Sequence, residues 1–371
     1  MTRLVLLGGG HAQLAVLASL AERPMPGCDV RLVTPYRRQI YSGMLPGWVA
    51  GHYPIEACAI ALDTLAARAG VTFHEAAAVA LDASARSLRC DDATDLPFDL
   101  LSIDTGPVAA LDELPGSREN ALPIRPIEGF VAAWPKLVDR MLGICRRFEL
   151  VILGAGAAGV ELAFAIHHRA LTDGWSHLRL KLVGSQALPL EGAPATLRLQ
   201  AAALLAERGI AWVGGCKADR IDPNRIGLAH GPAVEFDACL VVTGAAAPVW
   251  PRAAGLATDE HGFVRVGPTL QSPSHPAIFA AGDIAAYAQA RPKSGVFAVR
   301  AGPTLAHNLR ARCEGGSLEA WHPQRRALYL ISTGDRHAFA SWGRWVWRGQ
   351  WVWHWKDRID RRFVARFGAT G

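Results

Sequence analysis

Gly8-Gly9-Gly10 and Gly154-Ala155-Gly156-Ala157-Ala158-Gly159 are the residues of this sequence best suited to holding a nucleotide. Each group follows a short apolar run (residues 4–7 and 150–153) and precedes apolar residues at helical spacing. In a strand–turn–helix unit of this kind the first glycine makes the tight turn. The second lets the backbone approach a pyrophosphate, and the third packs helix against strand. The pyrophosphate then meets the unpaired N–H groups at the positive end of the helix. The second turn has all three, Gly154, Gly156 and Gly159, whereas the first has Gly8 and Gly10 with Gln13 at the third position. One such turn also suits an ordinary α/β domain. Two, each heading its own βαβ pattern, point to a chain that holds two nucleotides against each other, an arrangement that serves electron transfer.

The elements that must position these turns follow from the apolar pattern. Residues 1–35 read as strand, helix, strand, ending at Thr34-Pro35. A ribose-binding acid is often found at that point; Thr34 offers only a hydroxyl. Residues 36–53, rich in glycine and aromatics, read as an ordered loop and short helix over a ring system. A buried strand ends at Asp104-Thr105-Gly106, where the chain crosses close to a cofactor, and Thr243-Gly244 repeats that ending in the second unit. A Pro/Gly-rich connection, 107–126, and a helix, 127–141, lead into the second turn. The second strand there ends at Val183-Gly184-Ser185, with neither an acid for a ribose nor an arginine for a 2′-phosphate, so both nicotinamide forms stay open. Strand 277–281 runs into Gly282-Asp283, and a helix follows from about Gly295. Asp283 alone reads as a capping or turn residue; beside two nucleotide units it reads as an acceptor for a sugar or ribityl chain. The expected fold class is α/β, with two Rossmann-like dinucleotide-binding domains and a C-terminal strand-plus-amphipathic-helix tail. Residues 1–117 and 246–315 form the first domain, 118–245 the second and 316–371 the tail.

The totals exclude several classes. The chain has 371 residues, 50% hydrophobic and 19% charged, which is a globular composition. No apolar stretch reaches the roughly 18 residues of a membrane span. A first strand starting at Leu4 leaves no room for a signal peptide. The seven cysteines are scattered without a CxxC pair or metal-ligand spacing, so they read as small residues of a reduced, cytoplasmic protein, and no metal is expected. The net charge of +6 lies beyond residue 335, where eight basic residues meet only Asp357 and Asp360. The body is neutral, which argues against nucleic acid as a partner.

Together these residues resemble the FAD-dependent pyridine nucleotide-disulfide oxidoreductase superfamily, over nearly the whole chain to about residue 315. The resemblance implies FAD on the first turn and NAD(P)H as hydride donor on the second, with the Thr-Gly and Gly-Asp strand ends wrapped around the flavin. Carried over residue by residue, it assigns Gly8, Gly10, His11, Ala12, Thr34, Thr105, Gly106, Gly282, Asp283, Gly295 and Val296 to FAD. It assigns Gly154, Gly156, Gly159 and Glu161 to NAD(P)H. Within the superfamily the chain is similar to the type II NADH dehydrogenases and the sulfide:quinone branch. It is closer still to the domain found N-terminal to some selenide, water dikinases, through Gly8-Gly9-Gly10-His11-Ala12, Tyr41-Ser42-Gly43-Met44-Leu45-Pro46-Gly47 and Ile331-Ser332-Thr333-Gly334-Asp335-Arg336. No kinase portion is present here.

Departures from the family pattern choose among mechanisms. The flavin-side cysteine pair of the disulfide reductases is missing, as are the cysteines of sulfide-oxidising relatives. Hydride transfer from NAD(P)H to FAD, and on to an electron acceptor such as a quinone, is then the simpler mechanism. A sulfur- or selenium-species oxidoreductase and a non-catalytic flavin-binding docking or redox-sensing module are the alternatives. Pro292-Lys293-Ser294-Gly295 resembles the sulfide branch, where this turn faces the flavin pyrimidine. There Lys293 would stabilise negative charge on reduced flavin; otherwise it is a solvated loop lysine. Val296 and Arg300 stand where type II dehydrogenases carry two quinone-facing glutamines, which leaves the acceptor open.

The tail has its own pattern. Six of the twelve tryptophans lie between Trp342 and Trp355, and residues 327–350 alternate like hairpin strands. Val352, Trp355, Ile359, Phe363 and Phe367 recur at helical spacing, flanked by Lys356, Arg358, Arg361, Arg362 and Arg366. A basic, tryptophan-rich amphipathic helix suits a membrane interface; the same pattern suits packing on the body or on a partner. Residues 342–367 are thus expected to dock on a membrane or protein partner, which would make a cytoplasmic protein peripheral on the cytoplasmic membrane face. Deleting the chain from Trp351 onward is expected to release it from anionic membranes and leave FAD in place.

Overall fold

The structure, a computed structural model, describes residues 1–324 and 326–368. Two five-stranded parallel sheets carry the two glycine turns. In the first, strand β1 (Thr2–Leu7) lies between β2 (Cys28–Thr34) and β3 (Leu100–Ile103). The strand Thr72–Glu75 extends the sheet beyond β2, and β5 (Ile278–Ala280) extends it beyond β3. In the second, β4 (Phe148–Leu153) is flanked by Leu178–Val183 and Ala238–Val241, with Ala211–Val213 and Leu122–Pro123 at the edges. The central strands are apolar on both faces because helices cover both sides of a parallel sheet. Leu4 and Leu6 of β1 and Val151 and Ile152 of β4 are fully buried. The fold is the expected α/β arrangement of two parallel sheets. The first strand starts two residues earlier than the apolar run suggests, because Thr2 pairs with Cys28.

Helix α1 (His11–Glu22) follows the first turn and packs along α3 (Gly295–Glu314). Their crossing is close because small residues meet there: a Cβ on Gly302 would lie 2.7 Å from the Ala15 Cβ. Gln13, at the third-glycine position, is buried and useful. Its amide donates to the Ser102 carbonyl at 2.7 Å and the Leu7 carbonyl at 3.3 Å, tying α1 to β1 and β3. Helix α2 (Ala157–Thr172) follows the second turn.

The tail is a three-stranded antiparallel sheet, Leu328–Ser332, Ala338–Trp342 and Trp345–Gly349, followed by helix α4 (Gln350–Phe367). The buried face of α4 is Val352, Trp353, Lys356, Asp360 and Phe367. This corrects the expected apolar stripe: Trp355 and Ile359 are exposed, and Lys356 is buried rather than flanking. The Lys356 ammonium donates to the Gly43 carbonyl at 2.6 Å and to Asp360 at 2.7 Å. The Tyr53 hydroxyl donates to Asp357 at 2.6 Å. Phe363 packs on Tyr41 with centroids 4.6 Å apart and stacks on His11 at 5.6 Å. Each large apolar side chain buried this way contributes about 1.5–3 kcal/mol, so α4 is a structural part of the body. Among the described residues no helix is long and apolar enough to cross a membrane.

Candidate dinucleotide and redox site

The ends of the five strands of the first sheet line one cleft, of about 390 Å³. Sheet order dictates its layout. Ala76, Ala77 and Ala78 follow the edge strand and Thr34 ends β2; Gly8, Gly9 and Gly10 follow β1 and Thr105 and Gly106 follow β3. Asp283 follows β5, and Gly295 opens α3. A cleft outside the carboxyl ends of parallel strands is where nucleotides bind in such sheets. Gly8 has φ +92°, and a Cβ there would lie 2.6 Å from the Asp104 carbonyl oxygen. Only glycine makes this turn without strain.

Asp104 is the residue the sequence reading passed over. It is fully buried at the end of β3, and its Oδ2 accepts the Ala12 N–H at 2.8 Å and the Gln13 N–H at 3.0 Å. The first turn of α1 therefore already holds an anion-type ligand. A Cβ on Gly10 would sit 2.3 Å from both carboxyl oxygens, and one on Gly282 2.2 Å from Oδ1. These two glycines make room for Asp104. Burial pushes its carboxyl up to about 7 against the two backbone N–H groups, with Asp283 nearby adding to the rise. The available signal was an acid closing an otherwise apolar strand.

Beside Asp104, across Gly282, Asp283 lies 3.7 Å from Arg125, which the sequence did not single out. Burial raises the Asp283 carboxyl, opposed by Arg125 and Lys293. His11 opens α1 with its Nδ1 3.1 Å from the Gln39 amide nitrogen and its Nε2 without a partner. Burial, and then Arg125, lower its pKa to about 4, so the ring is neutral. Ala12 is buried and gives its N–H to Asp104, and Val296 packs against the apolar core around the first sheet (the first core). Lys293 is turned elsewhere: it donates to the Ala285 carbonyl at 2.7 Å, sits over the Phe263 ring at 3.7 Å and lines a second cavity. The flavin-facing position expected for it is not the one observed. That second cavity, about 1060 Å³, shares Arg125, Pro126 and Trp250 with the first.

The second glycine turn lies outside both cavities and opens to solvent. Gly154 has φ +116°, and a Cβ there would meet the Val242 carbonyl at 2.6 Å. One on Gly159 would sit 1.8 Å from the Gly154 carbonyl oxygen, whereas Gly156 faces open space. The backbone at Gly156 is therefore approachable, as a pyrophosphate needs. Glu161, one turn into α2, is not part of this cradle. Its carboxylate accepts the Ser332 N–H at 2.8 Å and faces Lys356, so it is committed to the tail. Burial pushes it up to about 7. Placement on the N-terminal turns of a helix is readable from sequence; the face a side chain takes once the tail packs there is not.

The residues present fit a dinucleotide with a ring system. The strand ends line the cleft in a row, an anion-type group already sits on the α1 N–H groups, and the unpartnered Nε2 of His11 belongs to a residue of the same lining, next to Gly10. Two parallel sheets with paired glycine turns define a two-nucleotide oxidoreductase class. The sequence pattern of the pyridine nucleotide-disulphide oxidoreductase family matches residues 2–308, and the chain belongs to that family, whose members use FAD and NAD(P)H. An NADH dehydrogenase-like protein of Mycobacterium tuberculosis is 24% identical over 300 residues, covering 77% of this chain and 73% of the relative. A demethylphylloquinone reductase of Synechocystis is 28% identical over 218 residues, 57% of this chain and 53% of the relative. Among solved structures, the sulfide:quinone oxidoreductase of Aquifex aeolicus superposes with a TM-score of 0.83 at 18% identity, covering 99% of this chain and 91% of that one. The NDH2 of Plasmodium falciparum in complex with NADH gives 0.81 at 11% identity, covering 99% and 97%.

Proposed function

We propose that this chain oxidises NAD(P)H through FAD and passes the electrons to a small acceptor of the quinone type. The observation that carries this is the pairing of a strand-end cleft at Gly8–Gly10 with an open glycine cradle at Gly156. FAD would supply the hydride acceptor and two-electron carrier; no side-chain acid or base is needed for that transfer. Residues 1–117 with 246–315 form the FAD unit and 118–245 the nicotinamide unit in this reading. Gly8 and Gly10 let the backbone approach the phosphates beside Asp104, whose Oδ2 already takes the Ala12 and Gln13 N–H groups, with Thr34 at a ribose and Asp283 at the sugar chain. Thr105, Gly106 and Gly295 approach the ring. Gly154, Gly156 and Gly159 receive the nicotinamide cofactor. Among the described residues no cysteine lines either cavity. Similarity to an NADH dehydrogenase-like protein of Mycobacterium tuberculosis and to a demethylphylloquinone reductase of Synechocystis supports the donor and the quinone-type acceptor. The test is steady-state oxidation of NADH and NADPH with a water-soluble quinone. Turnover that rises with quinone concentration is expected; turnover to oxygen alone would remove the quinone from the reading.

The same proposal includes a peripheral place on an anionic membrane. Trp345, Trp347, Trp351 and Trp355 are exposed and stack in two pairs, with Ile359, Arg358 and Arg362 beyond them. Tryptophan beside arginine on an exposed face suits the headgroup region.

A further inference from the structure

We infer that Asp104 is a ligand of the cofactor pyrophosphate and acts there as a neutral carboxylic acid, so that FAD binds with uptake of one proton. This deepens the proposed flavin site and rests on it. Asp104 lines the cleft at the first glycine turn, where the phosphates of a dinucleotide must lie. Its Oδ2 takes the N–H groups of Ala12 and Gln13, two of the donors that such a turn offers an anion. Among the described residues Oδ1 has no hydrogen-bond partner. An ionised carboxylate there would set one anion against another in a desolvated cleft, and like charges at close range disfavour ionisation. The protonated form removes that repulsion. It leaves Oδ2 to accept the two N–H groups and gives Oδ1 a hydrogen to donate to a phosphate oxygen. The charged and titratable neighbours do not supply an alternative. Asp283 beyond Gly282 adds negative charge, and its partner Arg125 is already turned to it. The Lys293 ammonium is bound to the Ala285 carbonyl on the side of the second cavity, and the Tyr287 hydroxyl donates to the Gly282 carbonyl. The His11 ring is neutral and engaged with Gln39.

The fold by itself holds this carboxyl near the protonated state, since burial raises it to about 7. Below that value FAD meets an acid that carries its proton. Above it, each pH unit must cost about tenfold in FAD affinity, the slope of one linked proton.

The experiment is FAD binding to the full-length apoprotein by flavin fluorescence between pH 6 and 9, for the wild type and Asp104→Asn. The wild type is expected to lose affinity about tenfold per unit above pH 7. Asp104→Asn keeps an acceptor for Ala12 and Gln13 and is expected to bind with little pH dependence. A second measurement needs no variant: calorimetry of FAD binding at pH 8 in two buffers of different ionisation enthalpy, expected to show about one proton taken up. A wild type that binds FAD equally at pH 6 and 9 with no proton uptake would overturn the inference and leave the flavin site standing. A slope that persists in Asp104→Asn would overturn it as well. A wild type that takes no FAD at any pH would instead remove the flavin reading itself.

Discussion

At the scale of single residues, one buried and one half-buried carboxyl, Asp104 and Asp283, stand at the ends of neighbouring strands. In the proposed reading Asp283 accepts a hydrogen bond from the flavin's sugar chain, so Asp283→Ala should weaken FAD retention by about 1–3 kcal/mol, as for a lost hydrogen bond to a charged group. Equilibrium dialysis against FAD measures it; unchanged affinity would remove Asp283 from the site. Asp104 makes a separate prediction for the apoprotein. Its folded carboxyl is raised to about 7 from an ordinary value near 4. Between those values the folded state binds more protons than the unfolded chain, so this group's stabilising contribution is present at low pH and lost as pH rises from about 4 to 7. Urea melts should show Asp104→Asn losing less stability than the wild type between pH 5 and 8, by up to about 3 kcal/mol at 1.36 kcal/mol per unit. Equal losses would mean the carboxyl is ionised freely in the fold. The glycine turn was legible in the sequence, yet the reason for Gly10 and Gly282 was not. Both make room for an acid more than ninety residues from one and nearly two hundred from the other, and that proximity exists only once β3 and β5 lie side by side.

At the scale of elements, the second glycine turn and helix α4 carry the expectations. Gly156→Val places a branched side chain in open space where a pyrophosphate must approach, far from the first cleft. Such a variant should keep FAD and lose reduction by the nicotinamide; stopped-flow reduction at the wild-type rate would show that this turn is not the donor site. The strand–turn–helix units were readable because their chemistry is local: apolar strand, glycines, periodic helix. The tail was not, although its helical period was plain. Sequence spacing gave α4 an apolar stripe through Trp355 and Ile359, but the body selects the face bearing Lys356 and Asp360, which pair with each other and with the Gly43 carbonyl. A buried ion pair of this kind hides an inner face behind charged residues. With Phe363 packed on His11 and Tyr41, and Phe367 in the first core, deleting residues from Trp351 onward is now expected to lower the FAD content after gel filtration. A truncated chain that keeps its full FAD complement would show that α4 does not support the flavin cleft.

At the scale of the whole molecule, a neutral two-sheet body carries its net charge and its exposed tryptophans together in the tail. Replacing Trp345, Trp351 and Trp355 with serine leaves the buried face of α4 intact, so this variant separates docking from folding. The wild type should sediment with anionic vesicles at low salt and be loosened by added salt, since each basic residue near such a surface adds about 1 kcal/mol. The triple variant should stay in the supernatant with its FAD bound; a wild type that also stays there would make the tryptophan face a site for a protein partner. The α/β class and the paired nucleotide units were legible from the two turns and the repeated Thr-Gly strand ends. The cleft's layout was not, because sheet order is set by long-range pairing. The central claim remains that one nucleotide reduces another across this fold. The most direct measurement is anaerobic mixing of the FAD-loaded chain with NADH, and separately with NADPH, while the visible absorbance of oxidised flavin is followed. Bleaching by at least one of the two is expected, with no bleaching in Gly156→Val. A flavin that dithionite reduces but neither nicotinamide does would contradict that claim.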